Sequence, residues 1–208
     1  MDERMKKVFE PSEKVQKMYE AVAAFVEEKR DLSAIKVSDI TSRAGIGKGT
    51  AYEYFSSKEE IIMYATMWLS GKQMNQLVSG ISERTGFKEK YFYLLKWMQV
   101  HRQYNDLLLK TMKGSFQGDC EKIKSSVPTE LMDKSREYVE TQIDLILEQG
   151  YQEGIFTEQN REKRKLIFFG TLMQYGFCIM KREESKSIQM TEKELWEFTY
   201  ECMVKALN

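Results

Sequence analysis

Apolar residues recur at intervals of three and four along almost the whole chain, and this periodicity restricts the fold more than any other feature. Such spacing places apolar side chains on one face of an α-helix, whereas a half-buried strand needs alternation with a period of two. No segment alternates for long enough to predict a strand. The pattern therefore predicts an all-α fold with about nine helices. The predicted helices are residues 12–29, 37–44, 48–54, 57–83, 87–102, 104–113, 128–150, 158–181 and 191–207.

The balance of charges excludes a uniformly basic protein. The 208 residues include 32 lysines and arginines and 32 aspartates and glutamates, so the formal net charge is zero. Binding to DNA must therefore come from a local patch and not from the overall charge. The most apolar stretch, residues 166–180, is shorter than the roughly 20 residues that cross a bilayer. We expect a buried helix there and no membrane partner.

Cysteine and histidine are too sparse to predict a metal site. Cys120, Cys178 and Cys202 lie far apart, and His101 is the single histidine. We therefore expect no metal and no cofactor. No nucleophile, base and orienting group occur together, so we do not expect an enzyme or catalytic residues. Residues 1–10 lack the apolar core of a signal peptide, and unpaired cysteines fit a cytoplasmic protein.

Residues 36–55 contain two short predicted helices separated by Gly45-Ile46-Gly47. Helices of about two turns are unstable alone, so both must pack against the helix at 12–29. Gly45 permits the positive φ that a sharp turn between helices needs. Such a turn lets the second helix enter a major groove while the first spans the DNA backbone. A tight loop followed by a short structural helix is the alternative, and glycine spacing alone does not decide between the two.

The second of these helices carries side chains that suit contact with DNA. Lys48 and Thr50 can reach base edges or phosphates, and small residues at Gly47 and Gly49 allow a close approach. The free N–H groups at the start of the helix suit a phosphate. Residues 36–58 contain four basic and two acidic side chains, in a chain whose total charge is zero. The local patch that DNA binding requires is therefore present here.

A family resemblance rests on several short matches within residues 12–70, about the first third of the chain. The matches are Asp39-Ile40, Ala44-Gly45-Ile46, Lys48-Gly49-Thr50, Tyr52, Tyr54-Phe55 and Ser57-Lys58-Glu59. Together they closely resemble the signature of the TetR family of bacterial regulators. The resemblance implies a three-helix DNA-binding head with the recognition helix at 48–54, and phosphate contacts by Tyr52 and Lys58. The residues predicted to contact DNA are Lys36, Ser38, Arg43, Gly47, Lys48, Gly49, Thr50, Tyr52, Tyr54 and Lys58.

Three positions depart from the family signature. Lys36 replaces the usual threonine before the first motif helix, so the capping box with Asp39 is expected to be missing. Gly47 replaces the serine that usually caps the recognition helix, which costs only a few tenths of a kcal/mol. The glycine that usually ends the first helix is absent from residues 30–32. These departures affect the ends of helices and one serine–phosphate contact, but not the mode of binding.

A helical effector-binding and dimerisation domain is predicted at residues 58–208, after a DNA-binding domain at 1–57. The resemblance implies that the remaining helices bind a small inducer and form a homodimer. Methionines and aromatic residues are frequent there, which suits a pocket for apolar or cationic ligands and equally suits a plain core. Asp144 and Glu148 are expected on the solvent-facing side of their helix. The candidate ligand-binding residues are Trp68, Trp97, His101, Tyr104 and Tyr138.

The last two predicted helices are apolar on more than one side, so each needs a partner beyond its own core. A second copy of the chain supplies that partner if the four helices form a bundle around a two-fold axis. The candidate interface residues are Phe169, Met173, Phe177, Trp196, Tyr200 and Met203.

These features predict a sequence-specific transcription regulator, a repressor that a small-molecule inducer releases from double-stranded operator DNA. A ligand-independent DNA-binding protein of the same fold, activating or architectural, is the alternative. Release from DNA by a small molecule would distinguish the two. A helical enzyme or transport-associated protein with a helix-turn-helix is a third hypothesis. DNA binding that disappears on changing Tyr52 and Lys58 would exclude it.

Overall fold

The computed structural model describes residues 7–8, 10–102, 129–185 and 188–208, without the side chains of 129–136 and 183–185. Within these residues it contains eight α-helices and no strand, which confirms the all-α prediction. Their bounds are α1 Glu13–Glu27, α2 Val37–Ala44, α3 Lys48–Tyr54, α4 Lys58–Ser82, α5 Phe87–Val100, α6 Thr129–Gln152, α7 Arg161–Ser185 and α8 Glu192–Ala206. The ninth predicted helix, at 104–113, lies outside the described residues.

The chain divides into two compact units, and the boundary falls inside α4. One unit comprises residues 1–75 and 102–134, and the other comprises residues 76–101 and 135–208. The first turns of α4 therefore belong to the core of the first unit. No helix among the described residues is both long enough and apolar enough to cross a membrane.

The first unit is organised around α1, whose apolar residues recur at helical spacing and are buried. α2 packs against α1, and α3 packs against α2. Because helices of eight and seven residues do not persist alone, this shared core is what keeps α2 and α3 folded. The core includes Val15, Met18, Tyr19, Val22 and Phe25 from α1, Ile40 from α2, Ala51 from α3, and Ile61, Ile62 and Ala65 from α4.

The second unit has α5 at its centre. Phe87, Tyr91 and Leu95, which are four residues apart, have no exposed surface. α7 and α8 pack against α5 and against each other. The hydroxyl of Tyr91 donates to Thr171 Oγ at 2.8 Å, which satisfies a polar group that burial would otherwise leave unpaired.

Gly150 allows α6 to lie close to two aromatic rings in the second unit. A Cβ atom at this position would lie 2.6 Å from the Phe156 ring and 2.7 Å from the Phe87 ring. The two rings meet edge to face with centroids 5.3 Å apart, a favoured aromatic geometry. A larger residue at 150 would have to displace this pair.

A charged cluster links α6 to the start of α7. Asp144 accepts hydrogen bonds from Arg161 and, at 2.9 Å, from Lys165, and its side chain is only 13% exposed. Glu148 lies 3.2 Å from the buried Arg164. The expectation that Asp144 faces solvent is therefore wrong, because the first turn of α7 covers it with basic side chains. Glu148 is half exposed, as expected.

Candidate nucleic-acid interface

A left-handed residue separates α2 from α3. Gly45 has φ of 66°, and its N–H donates to the carbonyl of Ser42 at 3.2 Å. The N–H of Ile46 donates to the carbonyl of Thr41 at 3.0 Å. These two bonds form a Schellman motif, which ends a helix and reverses the chain. The prediction that Gly45 provides a positive φ is confirmed.

The start of α2 retains half of a capping box. The backbone N–H of Lys36 donates to the carboxylate of Asp39 at 2.9 Å. A lysine ammonium has no lone pair, so Lys36 cannot supply the other half. The expectation that the box is missing is therefore wrong for the half that Asp39 contributes. The Asp39 carboxylate also lies at the positive end of the helix dipole, where it is stabilising.

α3 buries Ala51 and presents its other face to solvent. Lys48, Gly49 and Tyr52 are exposed, whereas Thr50 and Tyr54 are partly buried. A Cβ atom at Gly49 would meet nothing within 4 Å, so packing inside the protein does not require a glycine there. The absence of a side chain at Gly49 leaves room on this face for a binding partner.

The four basic residues predicted to contact DNA differ in the contacts that their side chains already make within the protein. Lys36 and Lys48 are exposed and form no ion pair with any described residue. Arg43 lies with its Nη2 atom 2.6 Å from a carboxylate oxygen of Glu28, and its guanidinium is 4.8 Å from the Phe25 ring centroid. This arginine holds the pKa of Glu28 below its usual value. Arg43 thus connects the ends of α1 and α2, a role that sequence reasoning missed.

Lys58 opens α4 and is turned inward. Its ammonium donates to the carbonyl of Ser33 at 2.8 Å and lies 3.6 Å from the carboxylate of Glu59. The side chain is 18% exposed. A phosphate contact by Lys58, as the family resemblance implies, would have to share or replace the Ser33 carbonyl.

Lys7 is a further residue at this site that sequence reasoning missed. Its ammonium donates to the carbonyl of Tyr54, the last residue of α3, at 2.6 Å. The same ammonium lies 5.1 Å from the Phe55 ring centroid and 5.7 Å from that of Tyr64. Donor and acceptor are 47 positions apart in the chain, so no local pattern could have revealed this contact.

The candidate ligand-binding residues are only partly brought together. In the second unit, Trp97 and His101 stack with ring centroids 4.5 Å apart, and Trp97 Nε1 is buried without a hydrogen-bond partner among the described residues. Tyr138 is exposed, and Trp68 is partly buried against the core of the first unit. Tyr104 lies outside the described residues. No group of acidic, histidine or cysteine side chains among the described residues could hold a metal ion.

The candidate interface residues divide between exposed and buried positions. On α7, Phe169, Met173 and Phe177 are 42%, 74% and 56% exposed. On α8, Met203 has no exposed surface because it lies in the core of its own unit. The two other candidates on α8, Trp196 and Tyr200, are partly buried against that core.

The first unit matches a known family of regulators. Residues 21–65 match the family model described as bacterial regulatory proteins, tetR family. This segment contains the second half of α1, all of α2 and α3, and the first turns of α4. No curated protein matches the chain.

Solved structures resemble the chain over most of its length. FadR of Bacillus subtilis in complex with stearoyl-CoA has a TM-score of 0.58 and 17% identity, and the match covers 93% of this chain and 97% of that one. A protein from Saccharomonospora viridis in complex with choline has a TM-score of 0.66 and 14% identity, with coverage of 90% and 93%. The TetR family regulator PfmR of Thermus thermophilus has a TM-score of 0.57 and 21% identity, with coverage of 93% and 99%.

Identities this low establish a shared fold. The segment that matches the family model also contains α2, the left-handed turn at Gly45 and α3, which together form a helix-turn-helix. Residues 21–65 are therefore similar to the tetR family of bacterial regulatory proteins, and the chain shares the all-helical fold of the solved structures over most of its length.

Proposed function

We propose that this protein is a repressor that binds operator DNA as a homodimer and is released by a small-molecule inducer. The observation that carries the proposal is the surface of α3, which follows directly on the left-handed turn at Gly45. Lys48, Gly49 and Tyr52 form an exposed surface on a helix that is otherwise held by its buried Ala51. This is the geometry that a recognition helix needs.

In the proposed complex, residues 1–57 form the DNA-binding domain and residues 58–208 the effector-binding and dimerisation domain. Lys48 and Thr50 contact base edges, and the tyrosine hydroxyls of α3 contact phosphates. Lys36 precedes α2 and Ser38 lies in its first turn, and both side chains are exposed and suit contact with a phosphate. Because the target is chromosomal duplex DNA, the proposal places the protein in the cytoplasm.

The proposed dimer interface centres on α7. Leu166, Phe169, Met173 and Phe177 recur at helical spacing, and all four are more than two-fifths exposed. A contiguous apolar stripe of this kind usually marks an interface. Gly170 lies beside it, and a Cβ there would meet nothing within 4 Å, so a second helix has room to approach.

α8 contributes less to the proposed interface than the sequence pattern predicted. Met203 is buried completely in its own unit and is not available to a partner. Phe198, which is 43% exposed, takes its place in the proposed interface. Trp196 donates from Nε1 to the hydroxyl of Tyr175 at 2.9 Å, so its polar edge is occupied within the chain. Trp196 and Tyr200 keep only partly exposed edges for a partner.

The proposed inducer site lies in the body. The Bacillus subtilis regulator holds stearoyl-CoA and the Saccharomonospora viridis protein holds choline, so proteins of this fold do take up small molecules. The buried Nε1 of Trp97 has no hydrogen-bond partner among the described residues, so it can donate to a polar group of a ligand. Trp97, His101 and Tyr138 remain the candidate residues of the second unit.

The DNA-binding part is tested by selecting duplexes from a random pool and measuring affinity at several salt concentrations. Lys48→Ala should lower the slope of log affinity against log salt by about one unit, because one phosphate or base contact by a cation is lost. Tyr52→Phe should weaken binding through loss of a hydroxyl. Lys193→Ala removes the same charge from an exposed position on α8 and should change neither quantity. Failure to recover any preferred duplex would refute the proposal.

The inducer is tested by titrating the protein–duplex complex with stearoyl-CoA, with choline and with a library of apolar and cationic compounds. A ligand can shift DNA affinity only by as much as it prefers the DNA-free state. Compounds that bind and release DNA support the repressor. Compounds that bind without changing DNA affinity, with none that change it, favour the ligand-independent regulator.

A further inference from the structure

We propose that Lys7 is a positioning residue for the recognition helix α3. Its ammonium caps the C-terminal end of α3 and thereby fixes how that helix is presented to DNA. The inference rests on the proposed DNA binding, and it assigns a role to a residue that lies outside the matched segment 21–65.

The end of α3 needs a donor from elsewhere. The last carbonyl groups of any helix have no partner within the helix and carry the negative end of its dipole. α3 has no basic residue in its last turn, and Phe55 after it is extended, with φ of −137°. Lys7 supplies the missing cation by donating to the Tyr54 carbonyl at 2.6 Å. Such a charge-assisted bond is among the stronger hydrogen bonds in proteins.

Lys7 is itself held in place from several sides. The hydroxyl of Tyr19 donates to the Lys7 carbonyl at 3.1 Å. Burial raises the pKa of Tyr19, so this hydroxyl keeps its proton and remains a donor. The faces of Phe55 and Tyr64 attract the ammonium, and the neighbouring Val8 is buried in the same core. These contacts restrict the Lys7 side chain, so its hydrogen bond to Tyr54 costs little additional conformational entropy.

The N-terminal end of α3 lacks a side-chain cap, so the helix depends on the Lys7 cap at its C-terminal end. Its N-cap, Gly47, has no side chain that could accept a hydrogen bond from the first turn. Without the Lys7 cap, the last turn of this seven-residue helix can fray. Tyr52 and Tyr54 lie in that turn, so their orientation toward DNA would be lost together. Discrimination between sequences would then fall more than attraction to phosphates.

The test compares Lys7→Met, Lys7→Arg and Lys14→Met in the full chain, below the lowest Tm of the set. Lys14 is exposed on α1, and its replacement matches the charge change. Affinities are measured for a duplex recovered by selection and for an unrelated duplex of equal length. Lys7→Met should lose about tenfold on the selected duplex and little on the unrelated one, with an unchanged salt slope. Lys7→Arg should restore most of the loss, and Lys14→Met should behave as wild type.

Hydrogen exchange provides a readout that does not depend on DNA. The Phe55 N–H donates to the Ala51 carbonyl at 2.9 Å, and its exchange should accelerate in Lys7→Met but not in Lys14→Met. Equal losses on both duplexes with a slope reduced by about one would make Lys7 a phosphate contact and overturn the proposal. Unchanged exchange would also overturn it. If no duplex is recovered, DNA binding itself fails, and the exchange rates still decide whether Lys7 caps α3.

Discussion

Arg43, in the last turn of α2, lies with Nη2 2.6 Å from a carboxylate oxygen of Glu28, the residue that follows α1. The contact joins α1 to α2, the helix against which α3 packs. It also gives an arginine that is predicted to contact DNA a negatively charged partner inside the protein. A phosphate and the Glu28 carboxylate would therefore compete for the same guanidinium group.

We expect Glu28→Gln to tighten DNA binding. The substitution removes a charge that repels phosphates and frees Arg43, so the salt slope should become steeper by about one unit. Fluorescence anisotropy of a labelled duplex at several salt concentrations measures both quantities. The control is Glu13→Gln, which removes an equal charge from a pair with Lys17 at the other end of α1. Equal effects of the two substitutions would show that only net charge matters.

Gly49→Ala should separate the stability of the head from its function. A Cβ atom there meets open space, so alanine should stabilise the fold by about 0.5–1 kcal/mol. The same atom would stand between α3 and DNA, so affinity should fall. Gly71→Ala in α4, which is also exposed with open space around it, should give a similar gain without the loss. Thermal unfolding measures the change in stability, and fluorescence anisotropy measures the change in DNA affinity. Unchanged affinity of Gly49→Ala would show that this face of α3 does not contact DNA.

Met173→Lys should convert the proposed dimer into a monomer. Met173 is the most exposed member of the apolar stripe on α7, and a lysine there would bury a charge without a partner. Sedimentation velocity at micromolar concentration measures the mass. Leu145→Lys changes another exposed apolar residue, on α6, and should leave the mass unchanged. A wild-type protein that already sediments as a monomer would rule out this interface.

The Asp144 cluster should make stability depend on pH in the acid range. Arg161, and also Lys165, lower the pKa of Asp144. A carboxyl whose pKa is lowered by folding stabilises the fold above its ordinary pKa and loses that contribution as the pH falls through the lowered value.

We therefore expect Asp144→Asn to lower the free energy of unfolding by about 1–3 kcal/mol at pH 7. The difference from wild type should shrink below about pH 4, where the carboxyl of the unfolded chain becomes protonated, and should be lost once the pH falls below the lowered pKa of the folded carboxyl. Urea unfolding at a series of pH values measures the difference. Glu201→Gln, in an exposed pair with Lys205, should change little at any pH. A gap that stays constant down to about pH 2 would contradict the expectation.

The head was predictable from its sequence because its signals are local. Gly45 ends α2 and the Schellman turn places the start of α3, so both helices have the predicted bounds. The ends of longer helices shifted by a few residues, as in α7, which was predicted at 158–181 and runs from Arg161 to Ser185. Asn160 caps the start of α7, because its Oδ1 accepts from the N–H of Lys163 at 3.0 Å, and the sequence reading missed this signal.

The tertiary partners of charged residues were not predictable. Lys7 and Tyr54 are 47 residues apart, and Asp144 and Arg161 are 17 apart, so no spacing rule connects them. The two apolar stripes of α8 posed a related difficulty. Periodicity shows that a helix has two apolar faces, but only the packed structure shows that Met203 belongs to the inner one.

The hydrogen bond from Lys7 to Tyr54 also determines which segment of the chain can be grafted onto another protein as a unit. The segment that matches the family model, residues 21–65, contains the proposed recognition helix but neither Lys7 nor Tyr19, whose hydroxyl donates to the Lys7 carbonyl. Trp68, whose ring packs against Tyr19 with centroids 5.8 Å apart, is also outside it. A graft of this specificity onto another body should therefore carry residues 7–68. The shorter segment would transfer the side chains proposed to contact DNA without the hydrogen bond from Lys7 to the end of α3.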